Sequence, residues 1–306
     1  MANTNPQKIV TSLLNNLSPK QKEVIVKRFG LTDGKRMTLE AIGKEYDITR
    51  ERVRQIEEDA LENLRKPELV NQVTEFLDTI SKHIDSHGSI KKEEHLLEKD
   101  AQTIFAGQKF SGSPKAIIHL LLTLGETFER HPETKDWHSF WTTNEEIAQH
   151  AKTVAVSLNE QLKNHKQPVD RGTLMNFALE TAKLKNIPTS EAALMSYVDI
   201  SKNIDSNVFG QYGLAHWPEI NPRGMKDKAF LVLKKTNKPL HFTQVAKEIE
   251  KFGLAKKSAH PQTVHNELIK DNRFVLVGRG TYALTDWGFA PGTIKDVIIK
   301  VIDQQK

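Results

Sequence analysis

The residues best placed to do chemistry lie in one short stretch, Thr49 to Arg65, which reads TRERVRQIEEDALENLR. Wound as an α-helix, it puts Val53, Ile56, Ala60, Leu61 and Leu64 on one stripe and Arg50, Glu51, Arg54, Gln55 and Glu58 on the opposite side. Those polar groups offer recognition. A guanidinium fork matches guanine O6 and N7, and a carboxamide matches adenine N6 and N7. Carboxylates can accept from the cytosine amino group, or can orient the neighbouring arginines. A solvated surface helix with Glu/Arg pairs at i,i+4 would show the same pattern, so the residues by themselves leave both readings open.

The elements that must position this helix are legible upstream. Gln7 to Leu17 has Ile9, Leu13, Leu14 and Leu17 close to helical spacing. Ser18-Pro19-Lys20-Gln21 reads as a fresh helix start, with a serine cap, proline at the first helical position and glutamine completing a capping box. The helix Pro19 to Phe29 is expected to bury Val24, Ile25 and Phe29 and to end at Gly30. Asp33-Gly34 marks a turn. Thr38 caps a short helix with Leu39, Ile42 and Tyr46 inward, Asp47-Ile48 is a tight connection, and Thr49 caps the charged helix. Two helices joined by a short turn, the second opening with arginines and glutamine, suit entry into a DNA major groove.

At 306 residues, 38% hydrophobic and 27% charged, the chain has the composition of a multi-domain globular protein. It contains no cysteine, which excludes disulfides, thiolate metal sites and cysteine nucleophiles. No apolar run reaches the ~18 residues of a membrane span, so a cytoplasmic protein is expected. Net charge is +3 over residues 1–66, −5 over 67–225 and +7 over 226–306, so both ends suit polyanions. No phosphate-binding GxxxxGK[ST], dinucleotide GxGxxG, HExxH or GxSxG pattern occurs, and no enzyme or cofactor is expected. His83 and His87 share a helical face and His95 comes after them, but no set of ligands completes a metal site, and no metal is expected.

The segment LSPKQKEVIVKRFGLTDGKRMTLEAIGKEYDITRERVRQIEEDALENLRKP, Leu17 to Pro67, resembles region 4 of the primary bacterial sigma-70 family. The resemblance implies a helix-turn-helix that reads the −35 promoter element and docks on the flap of the RNA polymerase β subunit. It implies that Arg50, Glu51, Arg54 and Gln55 face base edges and that Arg52 meets a phosphate. Thr38, Leu39 and Glu40 would lie against the DNA backbone. A sigma factor also melts promoters with a region 2 placed before region 4. The module here starts close to residue 1, and the segment with Trp137, Phe140 and Trp141 does not resemble region 2. The chain is therefore expected not to melt a promoter unaided.

Gly210-Gln-Tyr-Gly-Leu-Ala-His-Trp217 and Gly280-Thr-Tyr-Ala-Leu-Thr-Asp-Trp287 share the pattern GxYxLxxW. Pro168 and Pro239 lead into helices upstream of each, which predicts two related units near 167–222 and 226–288. In the second, helices are expected over Asp227–Leu233, Phe242–Phe252 and Thr263–Ile269, with Val264, Leu268 and Ile269 inward. RFVLVGRGTYALTD then forms a hairpin. Three helices and a hairpin make a winged helix, and this stretch resembles the HARE-type winged helix, a family that includes the N-terminal domain of the polymerase delta subunit. As DNA contacts the candidates are Gln262, His265 and Lys270, with His260 beside them, and Arg279 at the wing tip; binding protein is the alternative. In the first unit Phe209 replaces the wing arginine, which suits packing against protein. Tyr212, Trp217, Tyr282 and Trp287 are expected as core anchors.

The expected organisation is mainly α. A DNA-binding helix-turn-helix spans 1–67 and a helical middle or spacer 68–166, with breaks at Gly88 and at residues 107–114. A diverged winged helix spans 167–222, a HARE-type winged helix 226–288 and a C-terminal helix 289–306. FERHPETKDWHSFWTT within the middle could be a third hairpin. The partners implied are double-stranded DNA and RNA polymerase; a polymerase-docking protein that competes with sigma factors without reading DNA is the rival reading.

Overall fold

A computed structural model describes residues 6–105, 113–255, 258–289 and 302. The chain divides into two compact units, Met1–Ser157 with Ala178–Lys202, and Leu158–Phe177 with Asn203–Lys306. The described residues are mainly helical with small antiparallel sheets. None of their helices is long and apolar enough to cross a membrane.

The first unit opens with α1 (Pro6–Leu14), α2 (Pro19–Phe29), α3 (Leu39–Glu45) and α4 (Arg50–Leu64). α1 stops three residues short of its expected end, yet Leu17 still points into the core. The capping box forms as the sequence predicts: Ser18 N–H donates to Gln21 Oε1 at 3.2 Å and Gln21 N–H to Ser18 Oγ at 3.4 Å. Gly30 ends α2 at φ +71°, where a Cβ would lie 2.7 Å from the Lys35 carbonyl carbon.

The apolar stripe of α4 is fully buried but divided between two cores. Val53 and Ile56 join Val24 and Ile42 in a small cluster of the helix-turn-helix itself. Ala60, Leu61 and Leu64 join a larger cluster with Ile25, Phe29, Leu121 and Trp141. Each large aliphatic side chain buried there stabilises by about 1.5–3 kcal/mol, so the rear half of α4 is anchored in the segment C-terminal to it.

That segment comprises α5 (Pro67–Val70), α6 (Thr74–Asp85), β1 (Ile90–Lys92), α7 (Ala101–Ile104), α8 (Pro114–Leu124), β2 (Glu129–His131) and β3 (Phe140–Thr142). The three strands pair antiparallel in the order β1-β3-β2. The stretch expected to be helical therefore contains a sheet, and the third hairpin suggested by FERHPETKDWHSFWTT supplies two of its strands. Strands of three residues are too short to show period-2 alternation. Gly88 does end α6, at φ +81°, with a Cβ position only 2.2 Å from Ala193 Cβ. Residues 107–112, the other expected break, lie outside the described residues.

Where the helix-turn-helix meets this sheet, Glu93 is buried and forked by Arg130 at 2.5 and 3.0 Å, accepts from Trp141 Nε1 at 3.0 Å and lies 3.9 Å from Arg36. His119 of α8, 6% exposed, packs its ring 5.1 Å from Phe29 and 6.2 Å from Trp141. α8 as a whole is almost entirely internal.

α9 (Glu145–His165) and α10 (Arg171–Leu184) each cross a boundary between the units, and α11 (Glu191–Asp199) belongs to the first. In the second unit β4 (Ile204–Ser206) and β5 (Tyr212–Leu214) form a hairpin, and Val169 bridges Tyr212. Then come α12 (Met225–Thr236), β6 (Leu240–His241), α13 (Phe242–Lys251), α14 (Pro261–Lys270), β7 (Phe274–Gly278) and β8 (Thr281–Leu284), with sheet order β6-β8-β7. The succession helix, short strand or bridge, two helices and hairpin thus occurs three times along the chain, from α6, from α9 and from α12. The last copy packs Val232, Val245, Ile249, Val264 and Leu268 around Tyr282. Ile269 departs from expectation: it is 62% exposed, because one helical step past Leu268 rotates it off the packed face. Tyr282 is buried, and Tyr212, Trp217 and Trp287 are half-buried. The C-terminal helix expected at 289–306 lies almost entirely outside the described residues.

Candidate nucleic-acid interface

The turn between α3 and α4 sets the geometry. Thr38 Oγ1 accepts from Ala41 N–H and Thr49 Oγ1 from Arg52 N–H, each at 3.1 Å. Asp47 sits at φ +51°, and Ile48 N–H donates to the Gly43 carbonyl at 2.9 Å. Gly43 is buried so tightly that a Cβ would stand 2.7 Å from the Ile48 oxygen. Arg28 braces the pair from behind: its Nε donates to Glu57 at 3.1 Å and its Nη1 to the Met37 carbonyl at 3.1 Å. This brace escaped the sequence reading, because its partners are 29 and 9 residues away.

Arg50, Glu51, Arg52, Arg54 and Gln55 are all exposed on α4, on the side away from both cores. Arg54 donates to Glu51 at 2.7 and 3.0 Å and also pairs with Glu58. Hydrogen bonds to Glu51 raise the Arg54 pKa, and the same bonds hold Glu51 below the usual carboxylate range. Arg52 Nη1 donates to Gln55 Oε1 at 3.0 Å. Arg50 makes no ion pair or hydrogen bond among the described residues. At the start of α3, Thr38 and Glu40 are exposed and Leu39 is half-buried. Glu40 pairs with Lys44 at 3.1 Å. Because Thr38 accepts the capping bond, its own O–H remains free to donate. An open groove of about 700 Å³ runs between the helices, lined by Glu40, Gly43, Lys44, Asp47, Ile48, Thr49, Arg50 and Arg52. Lys44 is a cation that sequence reasoning passed over; its place four residues after Glu40 was the available signal.

In the last winged helix Gln262 and Lys270 are exposed on α14, with His260 just before it, and Arg279 is exposed at the turn. Gln262 donates to Asn266 at 3.3 Å. His265 points elsewhere: half-buried, it stacks on Phe242 at 4.5 Å and meets Tyr282 edge-on at 5.8 Å. Phe209, at the turn of the preceding hairpin, meets Phe252 edge-on at 5.0 Å and lies under the Lys235 ammonium at 4.9 Å.

The histidines of the first unit are engaged by carboxylates. His83 lies 3.1 Å from Asp100 and 4.7 Å, ring to ring, from His87, while His95 lies 3.1 Å from Asp199. Among the described residues one grouping, Glu129, His131 and Glu145, brings three metal-type donors within 4.8 Å, and His131 there is 2.9 Å from Glu145 and stacked on Phe140.

The fold and this face define a protein built from helix-turn-helix modules. Residues 13–66 match the family model "Sigma-70, region 4", and residues 223–287 match HARE-HTH, a "restriction endonuclease HTH domain". The chain thus carries a sigma-70 region 4 domain toward its N-terminal end and a HARE-HTH domain toward its C-terminal end, both DNA-binding helix-turn-helix types. It is 48% identical over 66 residues to RNA polymerase sigma factor SigA of Clostridium acetobutylicum, covering 22% of this chain and 18% of that one. Over 75 residues it is 43% identical to the RNA polymerase sigma-C factor of Nostoc sp., covering 24% and 18%. Over 66 residues it is 44% identical to SigA of Microcystis aeruginosa, covering 22% and 16%. The chain therefore spans less than a fifth of the length of these relatives.

Proposed function

We propose that the chain is a sequence-selective DNA-binding transcription protein whose α4 lies in the major groove of a −35-type promoter element. Arg50, Glu51, Arg54 and Gln55 face base edges, Arg52 meets a phosphate, and Thr38, Leu39 and Glu40 border the backbone. By likeness to sigma factors it also contacts RNA polymerase, at the β flap, and so regulates initiation in the cytoplasm. The observation that carries this reading is the open polar face of α4, directed away from both cores by a tight turn and two threonine caps.

Arg54 is engaged by Glu51 and Glu58, so a base contact must compete with those pairs. Exposed ion pairs are weak in water, whereas a bidentate arginine–guanine contact discriminates by roughly 5- to 150-fold. The carboxylates hold the guanidinium in place and release it at little cost.

The test is fluorescence anisotropy with a labelled TTGACA-type duplex and a scrambled one, at low and near-physiological salt. Phosphate contacts alone would bind both equally and fade as salt rises. A preference of tenfold or more that persists at higher salt is expected, and Arg54→Ala should reduce it. An unchanged preference in Arg54→Ala refutes the groove assignment. The rival reading, polymerase docking without DNA reading, requires wild-type polymerase capture by an Arg50→Ala/Arg54→Ala variant together with no duplex preference in the parent chain.

A further inference from the structure

The last winged helix is the most basic part of the chain, yet the surface expected to touch DNA carries little of that charge. On α14 and the hairpin turn the exposed cations are Lys270 and Arg279, Ile269 stands in the open between polar neighbours, and His265 is spent on Phe242 and Tyr282.

The lysines gather on another face, formed by the end of α12 and the outer side of α13. An open trough of about 560 Å³ is lined by Thr236, Lys238, Gln244, Lys247, Glu248 and Lys251, over a floor that includes Leu240 and Phe252. None of its lining residues belongs to α14 or the hairpin strands β7 and β8. Beside it, a hollow of about 190 Å³ is lined by Lys234 and Lys235 with Phe209 and Glu219. The Phe209–Phe252 contact at 5.0 Å joins the two.

Three of the lysine stems lie on rings. Lys234 is 5.7 Å from Phe230, Lys235 4.9 Å from Phe209 and Lys251 5.7 Å from Phe252. Aromatic rings under the stems reduce the freedom of the ammonium groups while leaving them in water. The nearby carboxylates are fewer: Glu248 pairs with Lys251 at 3.2 Å and Glu219 with Lys234 at 3.8 Å. Lys238 and Lys247 make no ion pair among the described residues.

The geometry points to a second DNA-binding face: the lysine trough of α12 and α13 binds the phosphate backbone of duplex DNA, in place of the third helix and wing. The inference rests on the reading of the chain as a DNA-binding protein. Duplex backbone is the favoured polyanion for two reasons. Lysine presents point charges on flexible stems, which suit phosphates whatever the base sequence. The trough is also long and open, lined by α12 and α13 along its length, which suits a strand passing through rather than a chain end.

The experiment uses the full chain and a scrambled duplex, with binding followed by anisotropy from 50 to 200 mM salt. Each phosphate contact contributes about 0.9 to the slope of log K against log salt. Lys238→Gln/Lys247→Gln should flatten the slope by about 1.8, so the parent should lose about twelvefold more affinity than the variant across that range. Its preference for the −35-type duplex over the scrambled one should be unchanged, which separates this outcome from any failure of α4 to read bases. Lys270→Gln/Arg279→Gln is the comparison. The inference is overturned if only that second pair flattens the slope, since the third helix and wing would then carry the contact. It is equally overturned if neither pair does, which would leave the lysine face to an acidic protein.

Discussion

Gly43 offers a sharp test of how the reading helix is aimed. In α3 an alanine should favour the helix by about 1 kcal/mol over glycine, and on propensity alone Gly43→Ala would stabilise the protein. The structure argues the opposite. An added Cβ would stand 2.7 Å from the Ile48 carbonyl oxygen, and 3.5 Å from both Arg50 N and Thr49 C. A carbon–oxygen contact relaxes near 3.3 Å, so about 0.6 Å must be found. The obstacle is backbone, which cannot rotate aside as a side-chain tip could. Movement of Ile48 also disturbs its 2.9 Å bond to the Gly43 carbonyl and the neighbouring Asp47 at φ +51°. Overpacking of this kind costs about 1–3 kcal/mol, which exceeds the propensity gain. Gly43→Ala should therefore lower stability by about 1–2 kcal/mol, read as a lower urea midpoint with an unchanged slope. Its preference for a −35-type duplex should fall by more than that loss explains, because the same displacement tilts α4. A variant as stable as the parent, or more so, with its duplex preference intact would refute the reasoning about the turn.

Ser18→Ala removes one half of the capping box at the start of α2 and should cost about 1 kcal/mol in chemical denaturation, with duplex preference unaffected; no loss would mean the box contributes nothing in water. His119 should make stability depend on pH. Burial, and after it the Arg36 charge, push its pKa down to about 3 against the pull of Glu93, so the folded protein keeps the ring neutral. The unfolded chain takes up a proton below about pH 6.5, so this stability is complete above that pH and is lost as pH falls toward the folded value. About 2 kcal/mol should disappear between pH 6.5 and 5, above the range in which Glu93, held below the usual carboxylate value, begins to protonate. His119→Leu should flatten that interval in urea titrations at each pH, and identical profiles for the two proteins would count against a neutral buried ring.

The local elements of the first 65 residues were legible because each is written in nearby residues. Ser18, Thr38 and Thr49 cap the helices directly after them, Gly30 closes α2 in the left-handed region, and the 3.6-residue period of Val53, Ile56, Ala60, Leu61 and Leu64 marks the buried side of α4. The polar face opposite was legible for the same reason, since a helix fixes which residues share a side. The GxYxLxxW repeat likewise marked two hairpins, because Gly210 and Gly280 must take positive φ wherever the turn forms. Contacts between distant segments were not legible. Nothing in a window around Glu93 announces Arg130, Trp141 and Arg36, and nothing near Leu64 announces Leu121. The strands β1, β2 and β3 are stabilised by pairing partners tens of residues away, with too few residues to carry a pattern. The charge of the last winged helix could be summed from the sequence, but its location could not. Whether lysines line α14 or the trough of α12 and α13 is decided by which helix faces the core takes, and only the tertiary packing makes that choice.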